Sequence, residues 1–337
     1  MALLPVSVIV ANWNGKPWLS RCLDSLRGQR YENFQTILVD NGSTDGSVDF
    51  VRRRYPEVQV MALPVNAGFA AANNEALKKV DTPYAALLNN DAVADARWLS
   101  ELVGALERHP GAGFAASKML FFDQPDRVDR AGDAYTTAGA ALLRGRGAAS
   151  RDYAREEWVF GACAGAALYR VAMLRDIGLF DEDFFILYED VDLSFRAQLR
   201  GYRCLFVPGA VVYHGGASTI GRDSPLSVFY GHRNLEWVYG KNMPRGLLFE
   251  TFFQHAIYDI LSFLYFIPRG RGKVFARAKL EALKGWRKTR EKRRKVQGMK
   301  SVSDSDLRRL LDREISWKRL AARRKRGGPA VVEGIGA

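Results

Sequence analysis

Four short apolar runs, each ending in a loop rich in Asn or Asp, restrict what this chain can fold into. Val6 to Ala11 leads into Asn12-Trp13-Asn14-Gly15, and Gln35 to Val39 into Asp40-Asn41-Gly42-Ser43. Val58 to Leu63 leads into Asn66-Ala67-Gly68, and Tyr84 to Leu88 into Asn89-Asn90-Asp91. Between them, Trp18 to Leu26, Gly46 to Arg54 and Ala70 to Val80 carry helical periodicity. Strands that alternate with helices pair in parallel, and the loops at their carboxyl ends converge on one crevice. Asn12, Asp40, Asn66 and Asp91 are therefore expected at a common site.

At 337 residues and 47% apolar composition, the chain can bury one substantial core with a smaller appendage. Cys22, Cys163 and Cys204 are odd in number and far apart, so no disulfide framework or zinc site is expected and a reducing cytoplasm is the natural setting. The apolar start, Met1 to Val10, lacks a charged leader region and reads as a buried strand. The net charge of +13 is uneven: Arg269 to Arg326 holds 23 Lys/Arg against 6 Asp/Glu, a local +17, which leaves the rest at about −4.

Beyond the fourth unit, the Gly- and Ala-rich stretch Ala131 to Ala149 reads as a mobile loop. Gly161 to Arg170 and a helix near Val171 to Ile177 follow, then the acidic run Asp181 to Asp192. Leu247 to Ile267 is apolar, but Glu250, Gln254, Asp259 and Ser262 recur at about one-turn spacing, so it reads as an amphipathic helix and not a membrane span. Ser303-Asp304-Ser305-Asp306 reads as a helix start.

Several residues have the chemistry of a site. Asp91, at the end of an apolar strand, can share a divalent cation with diphosphate oxygens, although Asn-Asn-Asp also ends strands as a plain turn. Asp40 is placed to accept a pyrimidine N–H, while Ser43 or Asp45 can cap a helix. Glu189 and Asp190 open a helix at the edge where a carboxylate faces a cleft, and Asp190 takes the general-base role. Asp192 suits a helix N-terminus and a pair with Arg196. His214, after the strand-like Ala210 to Tyr213, is a further candidate metal ligand beside a structural reading.

Laid out in order, Val6 to Asn14, Val39 to Gly46, Asn66 to Asn74, Leu88 to Asp91 and Tyr188 to Leu193 resemble the motifs of family 2 glycosyltransferases, particularly bacterial rhamnosyltransferases. The resemblance runs from about Pro5 to His214. It implies an α/β fold of the GT-A type, a Rossmann-like, mostly parallel sheet flanked by helices, with a C-terminal helical region. It implies an inverting transfer of a sugar, possibly rhamnose by resemblance alone, from a dTDP- or UDP-sugar to an acceptor hydroxyl. By the same resemblance Ala11, Trp13, Asp40 and Asn73 hold the nucleotide, Asn90 and Asp91 the diphosphate with Mg²⁺ or Mn²⁺, and Asp190 is the base, with His214 where some members supply a metal ligand. The chain departs from the pattern at Asn89, usually acidic, and at Asn73, where an Arg is common. Gly161 to Arg170 is similar to the family's small-residue segment beneath the acceptor, or serves close helix packing.

The expected organisation is a catalytic domain over 1–240, with a nucleotide-binding half to about 95 and an acceptor half from 96, a basic helical region over 241–330, and a flexible tail over 331–337. Phe249, Phe252, Phe253, Ile257, Ile260 and Leu264, followed by the basic stretch, fit a helix lying on an anionic membrane, with packing on the catalytic domain or a homodimer contact as the other uses of that face. The expected location is the cytoplasmic face of the cell membrane, and the expected acceptor a lipid-linked saccharide for cell-envelope polysaccharide. Nucleic-acid binding is a rival reading of another class, motivated by Arg287 to Lys295 and Arg323 to Arg326, but no nucleic acid is expected as a partner because the tail has few aromatics and no module pattern. A sugar nucleotidyltransferase is the rival enzyme class, but Asn12-Trp13-Asn14-Gly15 is not its Gly-rich phosphate loop.

Overall fold

A computed structural model describes residues 3–215, 221 and 223–312. Its first part is β1 (Val6–Asn12), α1 (Lys16–Arg27), β2 (Phe34–Asp40), α2 (Ser47–Arg54), β3 (Gln59–Ala62), α3 (Phe69–Leu77) and β4 (Tyr84–Asn89). The spatial order is β3, β2, β1, β4, all parallel. Both faces are covered: Val6, Val8 and Val10 enter one core layer and Ile9 the other. This is why the runs are continuously apolar and do not alternate. The register sets Asn12 beside Asp40 and Ala11 beside Asn89, so the polar loops leave the sheet at one edge.

The second part is β5 (Ala92–Ala94), α4 (Trp98–Arg108), β6 (Ala112–Phe121), β7 (Gln124–Ala131), β8 (Asp133–Thr136), β9 (Ala141–Leu143), β10 (Glu157–Val159), β11 (Ala166–Arg170), α5 (Val171–Ile177), α6 (Glu189–Arg200) and β12 (Arg203–His214). β11 runs antiparallel between β4 and β6, and β12 continues the sheet parallel to β6. The stretch Ala131 to Ala149 is not a mobile loop. It forms the β8–β9 hairpin, whose fully buried Tyr135 packs on Phe160 and Phe195 at 5.2 and 5.1 Å between ring centroids. One buried aromatic anchors a segment whose composition suggests none.

The C-terminal elements are α7 (Pro225–Asn242), α8 (Arg245–Phe266), α9 (Gly272–Lys284), α10 (Trp286–Gly298), α11 (Asp304–Leu310), capped by Ser303 as its sequence predicts, and β13 (Leu311–Asp312), which pairs with β8. The expected boundary at 240 falls inside α7. Val238, Met243, Leu247, Val296 and Leu307 share one core cluster with Phe160, Phe184 and Phe195, so these helices are built into the catalytic unit. The basic residues Arg323 to Arg326 and the tail 331–337 lie outside the described residues.

α8 is turned inside out. Thr251, His255 and Ser262 are buried, whereas Phe249, Phe252, Phe253, Ile260 and Leu264 are exposed, Phe253 to 74%. Polar partners explain the orientation. His255 bonds Glu236 at 3.1 Å and the Ala138 carbonyl at 2.9 Å and stacks on Tyr239, while Lys279 joins Glu236 to Asp259. Among the described residues, no helix is long and apolar enough to cross a membrane.

The joint between α6 and α7 is ionic. The fully buried Asp192 accepts from Arg196 at 2.9 Å, Lys241 at 2.7 Å and Asn242 at 2.7 Å. Removing one partner of a buried pair leaves the other charge uncompensated. Asp192→Ala is expected to lower the free energy of unfolding by about 3–5 kcal/mol, read from urea denaturation. A loss no larger than the roughly 1 kcal/mol of an exposed pair would show that this joint carries no stability.

Candidate active site

The loops after β1, β2 and β4 are tied to one another by side-chain amides. Asn90 donates to Asn12 Oδ1 at 2.8 Å, and Asn12 donates to Asp40 Oδ1 at 2.9 Å. The Ser43 backbone N–H takes the other Asp40 oxygen at 2.9 Å. Asp40 is thus buried with both oxygens engaged. Gly15 permits this contact, since a Cβ there would lie 1.9 Å from the Asn90 amide nitrogen. Asp45 accepts from the backbone N–H groups of Lys16 and Ser47, the first residues of α1 and α2, so its capping role holds. Ala11 is half-buried and Trp13 exposed beside this network. Asn73 is buried on α3 and donates to the Phe69 carbonyl of its own helix, while Asn74 reaches Phe180 through both N–H and C=O.

Asp91 and His214 meet across the pairing of β5 with β12. The register sets His214 beside Ala92, and Nε2 lies 3.3 Å from Asp91 Oδ1. On the other side of the ring, Nδ1 contacts Asp129 Oδ2 at 2.9 Å, and Arg146 holds the second Asp129 oxygen at 2.6 Å. Burial disfavours the imidazolium, but hydrogen bonds to Asp129 and Asp91 push it up to about 9. A carboxylate behind a histidine, orienting the ring toward a neighbouring oxygen ligand, is the arrangement of histidine metal ligands. One carboxylate and one imidazole fit a divalent cation, whose binding would displace the proton from the ring.

Asp190, on the first turn of α6, is nearly buried. Its oxygens accept from the backbone N–H of Val191 at 2.8 Å and of Ala164 at 3.3 Å, and Arg130 lies 3.6 Å away. The small-residue segment therefore supplies a backbone donor to Asp190. It also packs on α6, where Gly161 abuts Ser194. Glu189 is buried too; burial and the adjacent Asp190 push its carboxyl well above the usual range, and its Oε2 has no hydrogen-bond partner. Glu189 is thus driven toward the neutral acid, and Asp190 is the carboxylate beside Arg130. Close by, the Gly165 carbonyl accepts from the N–H of Asn89, two residues before Asp91, at 2.9 Å.

The turn before α6 is strained. Phe185, Leu187 and Tyr188 all have positive φ, at 62°, 68° and 70°, which costs about 1–3 kcal/mol per residue. Asn234 of α7, fully buried, holds the turn by sharing its two amide hydrogens among the carbonyls of Phe184, Ile186 and Leu187, each 2.7–2.9 Å from Nδ2. The start of α3 grips it from the other side, with Phe69 N–H on the Phe185 carbonyl at 2.7 Å. Gly68, at φ 89°, allows this approach, since a Cβ there would stand 2.6 Å from Phe185.

Sequence reasoning missed Asp129, Arg130, Asp133 and Asn234. Asp129 sits at a bulge, for Met119 pairs with Arg130 and Leu120 with Val128. The extra residue lets adjacent side chains of β7 serve His214 and Asp190. A signal existed in Asp129-Arg130-Ala131-Gly132-Asp133, charges flanking a glycine inside an otherwise small-residue stretch.

A family model described as glycosyl transferase family 2 matches residues 7–178, which hold the amide network and Asp91 and end before Glu189. An N-acetylglucosaminyl-diphospho-decaprenol L-rhamnosyltransferase of Mycobacterium tuberculosis is 29% identical over 265 residues, 69% of this chain and 82% of that protein. An O-antigen biosynthesis protein of Myxococcus xanthus is 30% identical over 228 residues, 63% of this chain and 17% of its own length. A mannosyltransferase from Pyrobaculum calidifontis, solved with GDP-Man and Mn²⁺, shares the fold with a TM-score of 0.53 at 18% identity, over 84% of this chain and 76% of that one.

Asp133 gives the site a measurable pH signature. Burial pushes its carboxyl up to about 7; Arg130, 3.5 Å away, works against this and Asp190 adds to it. Between about pH 4 and that value, the unfolded chain has lost this proton while the folded chain keeps it. Asp133 therefore contributes a stability that declines as pH rises through the window. Asp133→Asn is expected to flatten that part of the profile in urea denaturation at stepped pH; an unchanged slope would mean the group titrates normally.

Proposed function

The chain belongs to glycosyltransferase family 2, and on that premise we propose that it is an inverting, metal-dependent transferase acting on a nucleotide-diphosphate sugar. The acceptor is a hydroxyl of a lipid-linked saccharide in cell-envelope polysaccharide assembly. The named activity of the Mycobacterium tuberculosis relative, an L-rhamnosyltransferase, supports rhamnose as the sugar. The observation that carries the reading is the pair of sites joined through Ala164-Gly165, with Asp190 on one side and Asp91 with His214 on the other.

In this mechanism Asp190 takes the proton of the acceptor hydroxyl as its oxygen attacks the anomeric carbon opposite the leaving diphosphate. Attack from that face inverts the centre. Ala164 N–H and Arg130 orient the carboxylate, and Glu189, held neutral, adds no second charge beside it. Ala11, Trp13, Asp40, Asn73 and Asn90 form the nucleotide side, where the locked Asn12–Asp40–Asn90 network presents a rigid surface. Asp91 and His214 would hold a Mn²⁺ or Mg²⁺, which would supply positive charge to the departing diphosphate.

The basic C-terminal helices attach the enzyme to an anionic bilayer at the cytoplasmic face. The support is charge beside apolar surface: α8 turns its phenylalanines outward, and Leu283 and Trp286 continue the exposed apolar surface on the following helices.

Asp190→Asn is expected to lower kcat by about 10²–10⁴-fold while leaving nucleotide binding by calorimetry within about threefold of wild type. Near-normal turnover would remove Asp190 from the base role. Turnover is expected to vanish in EDTA and return with Mn²⁺, and Mn²⁺ is expected to raise the melting temperature of wild type but not of Asp91→Asn. Full activity in EDTA would overturn the metal assignment.

A further inference from the structure

α8 and α10 enclose a groove of about 340 Å³ lined by Arg245, Arg290, Arg293, Arg294 and Gln297. Two of these residues are structural. Arg293 donates to the carbonyls of Gly240 and Met243 at 2.8 and 2.6 Å, and Gln297 to that of Asn242 at 2.8 Å, so they fasten α10 to the end of α7. Arg245, Arg290 and Arg294 are exposed, and among the described residues none of them has an acidic partner. Nearby acids are committed elsewhere: Glu250 to Arg308, Glu291 to Arg287, Asp304 to Lys300, and Asp181 and Asp183 to Lys292.

Guanidinium groups gathered without a counter-ion repel one another, and their planar donors match phosphate oxygens. The groove also opens where the apolar face begins. The Arg245 guanidinium lies 5.7 Å from the centroid of the Phe249 ring, and Phe249 and Phe253 are among the most exposed apolar side chains of the molecule. A ligand with a phosphate and adjoining hydrocarbon answers both features; free phosphate answers only the first.

We propose that this groove binds the phosphate headgroup of an anionic glycerophospholipid of the bilayer while its acyl region meets Phe249 and Phe253. The inference rests on the membrane attachment proposed above and deepens it from general attraction to a defined headgroup site. Arg293 gives the groove its fixed wall, and Arg245, Arg290 and Arg294 supply the mobile donors.

The test is flotation of the full chain with phosphatidylcholine vesicles, with and without phosphatidylglycerol, alongside a titration with inorganic phosphate. The triple variant Arg245→Gln, Arg290→Gln, Arg294→Gln is expected to bind phosphatidylglycerol vesicles about 100-fold more weakly while keeping wild-type melting. A control that removes as many exposed charges from the catalytic unit, Arg30→Gln, Arg52→Gln, Arg53→Gln, is expected to change binding less than about threefold. The corresponding triple Lys variant, which keeps charge but not the planar fork, is expected to fall between. Equal losses in the two Gln triples would reduce the effect to net charge and overturn the groove. Wild-type binding that survives the groove substitutions would overturn it while sparing membrane attachment. Wild type that ignores both vesicles would overturn both, as would phosphate binding without vesicle binding.

Discussion

Three main-chain carbonyls converge on one side-chain amide, that of Asn234, and the geometry of the site follows from it. The carbonyls of Phe184, Ile186 and Leu187 belong to a turn whose neighbouring residues adopt left-handed conformations that L-residues avoid. Such a turn persists only when its surroundings over-determine it. Asn234 does so from α7, and Phe69 N–H does so from α3. Because the turn is held, α6 starts with Glu189 and Asp190 against the small-residue segment, and Asp190 meets Ala164.

The same economy governs the metal side. A single bulge on β7 gives successive residues opposite duties, with Asp129 behind His214 and Arg130 beside Asp190. Neither residue reaches the other's partner. Ala164-Gly165 makes a second link, because its two peptide groups bond Asp190 and Asn89. The two centres are coupled through backbone, which has fewer ways to relax than side chains do.

What the sequence disclosed and what it hid follow from the range of the interactions. The strand–loop–helix units and the edge carrying Asn12, Asp40 and Asp91 depend on local periodicity and turn chemistry, so they were legible. The pairing of His214 with Asp129 spans 85 positions and requires a bulge that no local pattern announces. The hold of Asn234 on its turn spans 47 to 50 positions and comes from a helix outside the five motifs. The two faces of α8 were visible, but not which one points inward. That depends on Glu236 and Lys279, contributed by two other helices.

The dependence of the turn on α7 bears on how the site comes into being during synthesis. Asn12, Asp40, Asp91 and Asp190 have all been joined to the chain before Pro225, the first residue of α7, is added. A chain ending there would contain the five motifs in order and would lack the amide that bends the turn into place. The strands can assemble early, but the competent arrangement waits for the helices that were expected to be an appendage. Motif content and a formed site are therefore separate properties of this chain, and fragments designed from the motifs alone would possess the first without the second.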